Sequence, residues 1–300
     1  MAKISVCLAT FNEEKNLGDC LESVRGLAAE IVVVDGTSTD KTVAVANKYR
    51  AKVIVRENPP MFHINKQKAF EAATGDWILY LDADERVTPE LKREILSATR
   101  NRIHDGYWIP RKNIIFGRWI EHTGWYPDYQ LRLFRRGQAY LPCKTVHEQP
   151  VLKGQAGHLK NPLWHENYQT VSQFIARLDR YTENDKNLFL SENKKIQWHD
   201  AIRFPVSEFL KRFFLEQGYK DGLHGLVLSL FQSFSAFVTF TKIWEAEGFK
   251  EADSRDFLAK TQKELAKALG EIKYWFLTIK FENASNLVEK IWYRILRKTG

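Results

Sequence analysis

Cysteine is scarce in this sequence: there are three in 300 residues, Cys7, Cys20 and Cys143. They are widely separated and form no CxxC or metal-knuckle spacing, which excludes a disulfide framework and a structural zinc site and fits a reducing compartment. The loop after the first apolar run, "ISVCLATFNEEKNL", has no G-x-G-x-x-G, so a dinucleotide-dependent dehydrogenase has no place to seat its pyrophosphate. It also lacks the Gly-rich, Arg-containing loop expected of a sugar-phosphate nucleotidyltransferase. The opening run turns polar too early for a signal peptide and reads as a first β-strand, so a cytoplasmic chain is expected. No apolar stretch runs uninterrupted for the roughly 20 residues a transmembrane helix needs, and there is no long repeat or low-complexity tract.

What is present supports a substantial core. Hydrophobic residues make up 44% of the chain, with nine Trp and nineteen Phe. The net charge of +8 and pI near 9.2 call for an anionic partner. Nucleic acid, a nucleotide-bearing substrate and an anionic membrane face all satisfy that demand.

From Ile4 to about Asp84 the text alternates. "ISVCLAT", "EIVVVDG", "AKVIVRE" and "DWILYLDAD" read as strands, and "NLGDCLESVRGL", "DKTVAVANKY" and "INKQKAFEAAT" between them as helices. This spacing predicts βαβ units and a mostly parallel, doubly wound sheet with helices on both faces. Ligands in such sheets sit at the carboxyl ends of the strands, which here read "ATFNEE", "DGTSTD" and "DADE". Short aromatic and basic pieces from about Asp105 to Gly157 read as antiparallel strands and loops, and the chain beyond about Trp164 as helices. The expected division is a catalytic domain over residues 1–160, in which residues 1–100 serve the nucleotide and residues 101–160 the acceptor, followed by a helical region over residues 161–300.

Asp82 and Asp84 follow a buried-looking strand as Asp-x-Asp, and alternate residues bent by a turn can converge on one hard divalent cation whose open positions phosphate oxygens fill. Glu85 can equally belong to a solvated turn that leads into a helix capped by Thr88, with Pro89 in its first position. Asp40 reads as the N-cap of "KTVAVANKY".

"VCLATFNEEKNL", "IVVVDGTSTDKT" and "ATGDWILYLDADE", in this order from about Lys3 to Val87, resemble the inverting family 2 glycosyltransferases of the GT-A fold. More loosely, "WYPDYQLRLFRRG", "VHE", "RLDRYTE", "FLKRFFLEQGYKDG" and "KIWE" resemble the bacterial enzymes that add glucose or a related hexose to the lipopolysaccharide core. The resemblance implies a UDP-sugar donor, a glycan or glycolipid acceptor, Mg²⁺ or Mn²⁺, and no nucleic-acid partner. Residue by residue it implies that Thr10, Asn12, Glu13 and Asp35 surround the base and ribose. Asp82 would meet the ribose or a metal-bound water, Asp84 would bind the metal, and Lys66 would be the cation beside the diphosphate. The sequence departs from the common pattern at "VDGTSTD", where two acids often stand together, and at "KQKAFEAATG", where Asn and Gly are common.

An inverting transfer needs a carboxylate to take the acceptor hydroxyl proton. Glu148, placed after the "RLFRRG" strand where the family carries its catalytic acid, is preferred, and Asp128 is the alternative. His147 could serve as a hydrogen-bonding or outer metal-shell residue, and Arg132 and Arg135 as diphosphate contacts or as a polar strand face. Trp125 and Tyr126, in a loop by their neighbours, are assigned to the acceptor because flat rings stack on sugar C–H faces.

The segment from Phe204 to Glu247 sets Leu223, Leu226, Val227, Leu230, Phe231, Phe234, Phe237 and Val238 on helical spacing. Phe209, Phe213 and Phe214 stand beside Lys211 and Arg212, and the basic tail repeats the theme. Such a pattern places the enzyme peripherally on an anionic membrane face, the cytoplasmic side of the inner membrane, with a helix that packs on the catalytic domain or in a homodimer as the competing use. A non-catalytic membrane-surface module accounts for the charge but leaves the acids at three strand ends unexplained.

Overall fold

The computed structural model describes residues 2–59, 61–101, 103–143, 148–252 and 255–298. They form two compact units, residues 1–119 with 125–169, and residues 120–124 with 170–300.

The first unit is built on a ten-stranded mixed sheet. β1 (Ile4–Thr10), α1 (Leu17–Ser23), β2 (Glu30–Asp35), α2 (Thr42–Lys48), β3 (Lys52–Val55), α3 (His63–Ala72) and β4 (Trp77–Tyr80) alternate as the pattern predicts. Their strands lie parallel in the order β3-β2-β1-β4. Only this half is wholly parallel. After β5 (Glu85–Val87) and α4 (Pro89–Asn101), β6 (Gly106–Ile115), β7 (Arg118–Trp119) and β8 (Asp128–Arg135) extend the sheet, with β8 antiparallel to both β4 and β6. β9 (Ala139–Tyr140) and β10 (Val151–Leu152) pair by themselves, β11 (Ala156–His158) lies along β6, and β12 (Leu163–Tyr168) joins β6 in parallel and carries β5 at the edge.

β1 is mostly apolar, with buried Ser5 and Thr10, because both of its faces are covered. Neighbouring residues of β2 divide between two cores: Val33 packs with Leu8, Leu17, Leu21 and Leu91 on one face, and Val32 and Val34 with Phe70, Ile78 and Phe134 on the other. α1 follows the usual i, i+3, i+4 rule, burying Leu17, Cys20 and Leu21. α3 does not, since it buries His63, Asn65 and Lys66 alongside Ala69 and Phe70. Gly75 is required where the chain enters β4, because a Cβ there would lie 2.7 Å from Ser5 Oγ and 2.8 Å from the Lys3 carbonyl oxygen. Thr88 caps α4 as expected, accepting from the Leu91 amide at 3.2 Å. Asp40 stands one residue ahead of its expected place, accepting from the Thr42 amide at 2.9 Å and the Glu14 amide at 3.1 Å.

The second unit is helical: α5 (Val171–Ser191), α6 (Asp200–Leu210) running into a π-helical turn over Lys211–Leu215, α7 (Gly222–Ala246), α8 (Phe257–Glu282) and α9 (Leu287–Lys298). Thr170 and Gln173 close a reciprocal capping box on α5. Residues 120–124 are held by buried Asp221, which accepts from the backbone amides of Glu121 (3.3 Å) and His122 (2.9 Å) and from Thr123 Oγ1 (3.2 Å).

Two expectations for this region need correction. Gly218–Ala246 is, among the described residues, a helix long and apolar enough to cross a membrane by length and composition, despite its interruptions. One of its faces is nevertheless buried at Leu228, Ser229, Phe240 and Ile243. Phe214 and Arg212 are not lipid-facing: Phe214 is buried against Trp275 and Phe276, and Arg212 donates to Glu208 at 2.6 Å and to the Thr123 carbonyl at 3.1 Å. The π-helical turn gives residues 211–215 a register that straight helical spacing does not anticipate.

Candidate active site

β4 ends at Tyr80, and the turn that follows presents Asp82 and Asp84 before β5 begins at Glu85. Asp82 is held by side chains of the first unit. Its carboxylate is taken up by two cations, Lys66 Nζ at 2.6 Å on Oδ1 and an Arg132 guanidinium nitrogen at 2.5 Å on Oδ2. Burial opposes the charged form of Asp82, but Arg132 and Lys66 outweigh it and hold the carboxyl well below the usual range. In return, burial opposes the charge on Lys66, and Asp82 restores it and raises its pKa. Lys66 also bonds the Tyr80 hydroxyl, and the Arg132 guanidinium lies 4.1 Å from the centre of the Tyr80 ring.

Glu85 is not a solvated turn residue. It is fully buried, its Oε2 accepts from the Asp82 amide at 3.0 Å, and its Oε1 meets Arg132 at 2.7 Å and Arg111 at 3.5 Å. Arg111 continues the lattice to Asp128, with Nε at 2.8 Å and a terminal nitrogen at 2.5 Å from Oδ2. Asp128 further accepts from Gln130 (2.6 Å) and Asn113 (3.3 Å). Desolvation works against its charge, but Arg111 and these amides prevail and lower its pKa. Three cations and three carboxylates thus alternate from Lys66 to Asp128.

Asp84 faces a different partner. His165 Nε2 lies 3.5 Å from its Oδ2, while His165 Nδ1 lies 2.6 Å from Asn113 Oδ1. The Asn113 amide nitrogen donates to the Trp125 carbonyl (2.8 Å) and to Asp128, so its oxygen must accept and Nδ1 must carry the hydrogen. In the neutral ring Nε2 then presents a lone pair toward a carboxylate. Two such acceptors suit a shared cation, and an imidazole oriented by an amide oxygen on its other nitrogen is the usual outer arrangement around a metal-binding histidine. No cluster of three or more His, Cys, Asp and Glu side chains with metal-binding geometry occurs among the described residues. Asp84 and His165 therefore fit a divalent ion only with further ligands beyond the described His, Cys, Asp and Glu side chains.

The predicted nucleotide residues gather at the ends of β1 and β2 and largely brace one another. Asp35 is fully enclosed, accepting from Thr10 Oγ1 (3.1 Å), Ser38 Oγ (2.6 Å) and the Ser38 amide (2.8 Å). Asn12, at φ 56°, takes the Thr39 amide on Oδ1 at 2.9 Å, and Glu13 accepts from Asn16 at 2.9 Å. Trp125 stands edge-on to Tyr168 and Tyr126 edge-on to Trp119. Arg135 lies 3.8 Å from Asp105, which favours the strand-face use. Glu148 is half-buried, and its charge, after burial, helps push the Cys143 thiol upward. The neighbouring Gln149 bonds Gln130, which in turn donates to Asp128, so both base candidates adjoin one hydrogen-bonded chain. His147 lies outside the described residues.

Arg111, Asn113 and His165 are the members that motif reading misses. The signal is faint: "PRKNI" and "LWHENY" each carry three consecutive polar residues within a strand, of which Asn113, His165 and Asn167 are buried.

A parallel α/β half-sheet joined to antiparallel strands, with acids at its carboxyl edge, defines a glycosyltransferase of the GT-A fold. The sequence signature described as Glycosyl transferase family 2 matches residues 5–154, half of the chain, and the chain belongs to that family. It is 26% identical over 276 residues to an uncharacterized glycosyltransferase of Rickettsia conorii, covering 87% of this chain and 95% of the other. It is 28% identical over 262 residues to LpsC, a lipopolysaccharide core biosynthesis glycosyltransferase of Rhizobium meliloti, covering 84% and 96%. Among solved structures, TarS 1–349 of S. aureus in complex with UDP-GlcNAc aligns at 18% identity with a TM-score of 0.44, covering 90% of this chain and 80% of that one.

Proposed function

We propose that this family 2 enzyme transfers a hexose, with UDP-glucose the first donor to test, to a lipid-linked or lipopolysaccharide-core glycan at the cytoplasmic face of the membrane, using Mg²⁺ or Mn²⁺. The observation that carries the metal-dependent reading is the Asp84–His165 pair, with the ring oriented by Asn113 on Nδ1. The acceptor class is supported by the length over which the chain resembles LpsC.

A bound divalent ion supplies neutralisation of the negative charge that develops on the departing nucleoside diphosphate. The chain's own residues do the rest. Lys66 is a buried ammonium within 2.6 Å of Asp82 and is available to the diphosphate, with Asp82 and Tyr80 fixing where it waits. Thr10, Asn12, Glu13 and Asp35 shape the base and ribose end. Glu148 takes the acceptor proton, because Asp128 is a poor base: its two oxygens are engaged by Arg111, Gln130 and Asn113, and its pKa is lowered. Trp125 and Tyr126 border the acceptor.

The test is turnover of a panel of UDP-sugars by the purified chain, with Mg²⁺, Mn²⁺ or chelator. Metal-dependent turnover that Asp84→Ala removes supports the assignment. Retention of more than about a tenth of activity, a barrier change under about 1.4 kcal/mol, overturns it. Absence of turnover with every donor points to the binding-module alternative.

A further inference from the structure

The helical unit leaves a large apolar surface uncovered on its last two helices. α9 exposes Leu287 (72%), Val288 (77%), Ile291 (51%), Trp292 (59%) and Ile295 (51%), which fall together on one arc of the helix. The same helix rests on α8 through its other side, where Arg297 donates to Tyr274 Oη at 2.9 Å and its guanidinium lies 4.7 Å from the Tyr274 ring centre. α8 adds a second stripe: Leu258, Leu265, Leu269 and Phe276 are all exposed and fall within a narrow angular range at 100° per residue. On a soluble surface such residues occur singly, and five of them on one arc of α9 mark an interaction site.

Charge decides the occupant. From Phe257 to Lys298 the sequence carries nine Lys and Arg against four Glu. Along α9, Lys290 and Arg294 flank one edge of the exposed apolar arc and Trp292 lies toward its opposite edge. A protein–protein stripe in a dimer of this chain would bring that surplus of positive charge against itself. An interfacial helix has the opposite requirement: bulky apolar residues with Trp enter the acyl boundary while Lys and Arg at the flank meet anionic headgroups.

We infer that α9 is a surface by which this protein lies on an anionic lipid bilayer, with its axis in the plane of the interface; Leu223, Leu230, Phe234 and Phe237 of α7 are exposed as well. This deepens the membrane location in the proposed function but stands on the helical unit alone. Neither helix contains a residue assigned to donor, metal or acceptor, so loss of lipid binding and loss of catalysis are separable.

The experiment is flotation of the purified full-length protein with phosphatidylcholine vesicles, with and without phosphatidylglycerol. Wild type should float only with the anionic vesicles and should be released as salt shortens the Debye length from about 10 Å at 0.1 M to about 3 Å at 1 M. Each basic residue near such a surface is worth about fivefold in partitioning, so Lys290→Gln with Arg294→Gln should lower it roughly 25-fold. Ile291→Glu with Ile295→Glu should abolish it. These positions are on the surface, so circular dichroism and donor turnover should be unchanged in both variants. The inference is overturned if flotation is unaffected by the α9 variants. It is equally overturned if binding is the same on uncharged vesicles and resists 1 M salt, as a spanning Gly218–Ala246 helix would. Wild type that stays unbound at low salt and runs as a dimer, which Ile291→Glu with Ile295→Glu converts to monomer, also overturns it and assigns the stripe to a second copy.

Discussion

Replacing Arg132 by Met is the sharpest probe of the charged lattice beneath the Asp82–Asp84 turn. Arg132 is 3% exposed, and one terminal nitrogen serves both Asp82 and Glu85. Met matches the length of the stem but removes the charge. Asp82 keeps Lys66 at 2.6 Å, whereas fully buried Glu85 is left with Arg111 at 3.5 Å. Stranding a buried carboxylate in this way costs about 3–5 kcal/mol, and the surviving Arg111 contact places the expectation toward the lower end. Adding Glu85→Gln should reverse some of the loss. Gln removes the stranded charge and can still accept the Asp82 amide hydrogen, so the double variant should be more stable than the sum of the singles by about 1–3 kcal/mol. Because the chain has two units, stability is best read from hydrogen exchange of β4 and β8 amides under increasing urea, which isolates the sheet from the helices. A single-variant cost below about 1 kcal/mol, or additivity within about 0.5 kcal/mol, would refute the view that Glu85 and Arg132 act as one buried pair.

Other outcomes follow from the same geometry. Asn113→Ala should weaken Mn²⁺ binding by about 10–100-fold in a direct titration without donor, because His165 loses the acceptor that sets its tautomer; unchanged affinity removes His165 from the metal site. Glu148→Gln should depress kcat far more than donor affinity, and an active Glu148→Gln beside an inactive Asp128→Asn would reverse their roles. The lowered pKa of Asp128 makes its charge stabilising above the unfolded-state value of about 3.9, with that contribution lost as pH falls through the lower folded value. The stability gap between wild type and Asp128→Asn should therefore be level above about pH 5 and narrow toward about pH 3, and a gap that widens on acidification contradicts the assignment.

Legibility from sequence followed how local each determinant is. β1, β2 and β4 are visible because a strand covered on both faces is dense in apolar residues, and that composition is unambiguous over a few residues. The acids after β4 stand out for the complementary reason that the run stops abruptly. α3 is harder: its buried side carries His63, Asn65 and Lys66, so no apolar stripe announces which face points inward. The antiparallel half of the sheet depends on pairings such as β4 with β8, far apart in the chain, and nothing within either strand names its neighbour.

The fate of Glu85 and Asp82 shows why the site is less legible than the fold. In "DADER" all three acids have the same local claim to a metal, and the outcome is decided by residues elsewhere in the chain. Lys66 on α3 and Arg132 on β8 converge on Asp82, Arg132 and Arg111 on Glu85, and His165 on Asp84. A carboxylate enclosed by cations gains little by ligating another one, because the same negative charge is already neutralised and its lone pairs are engaged. Asp84 instead meets the His165 ring, 3.5 Å away. Asp-x-Asp spacing therefore marks a cluster of acids after β4, while the Lys, Arg and His side chains on α3, β6, β8 and β12 determine what each acid meets.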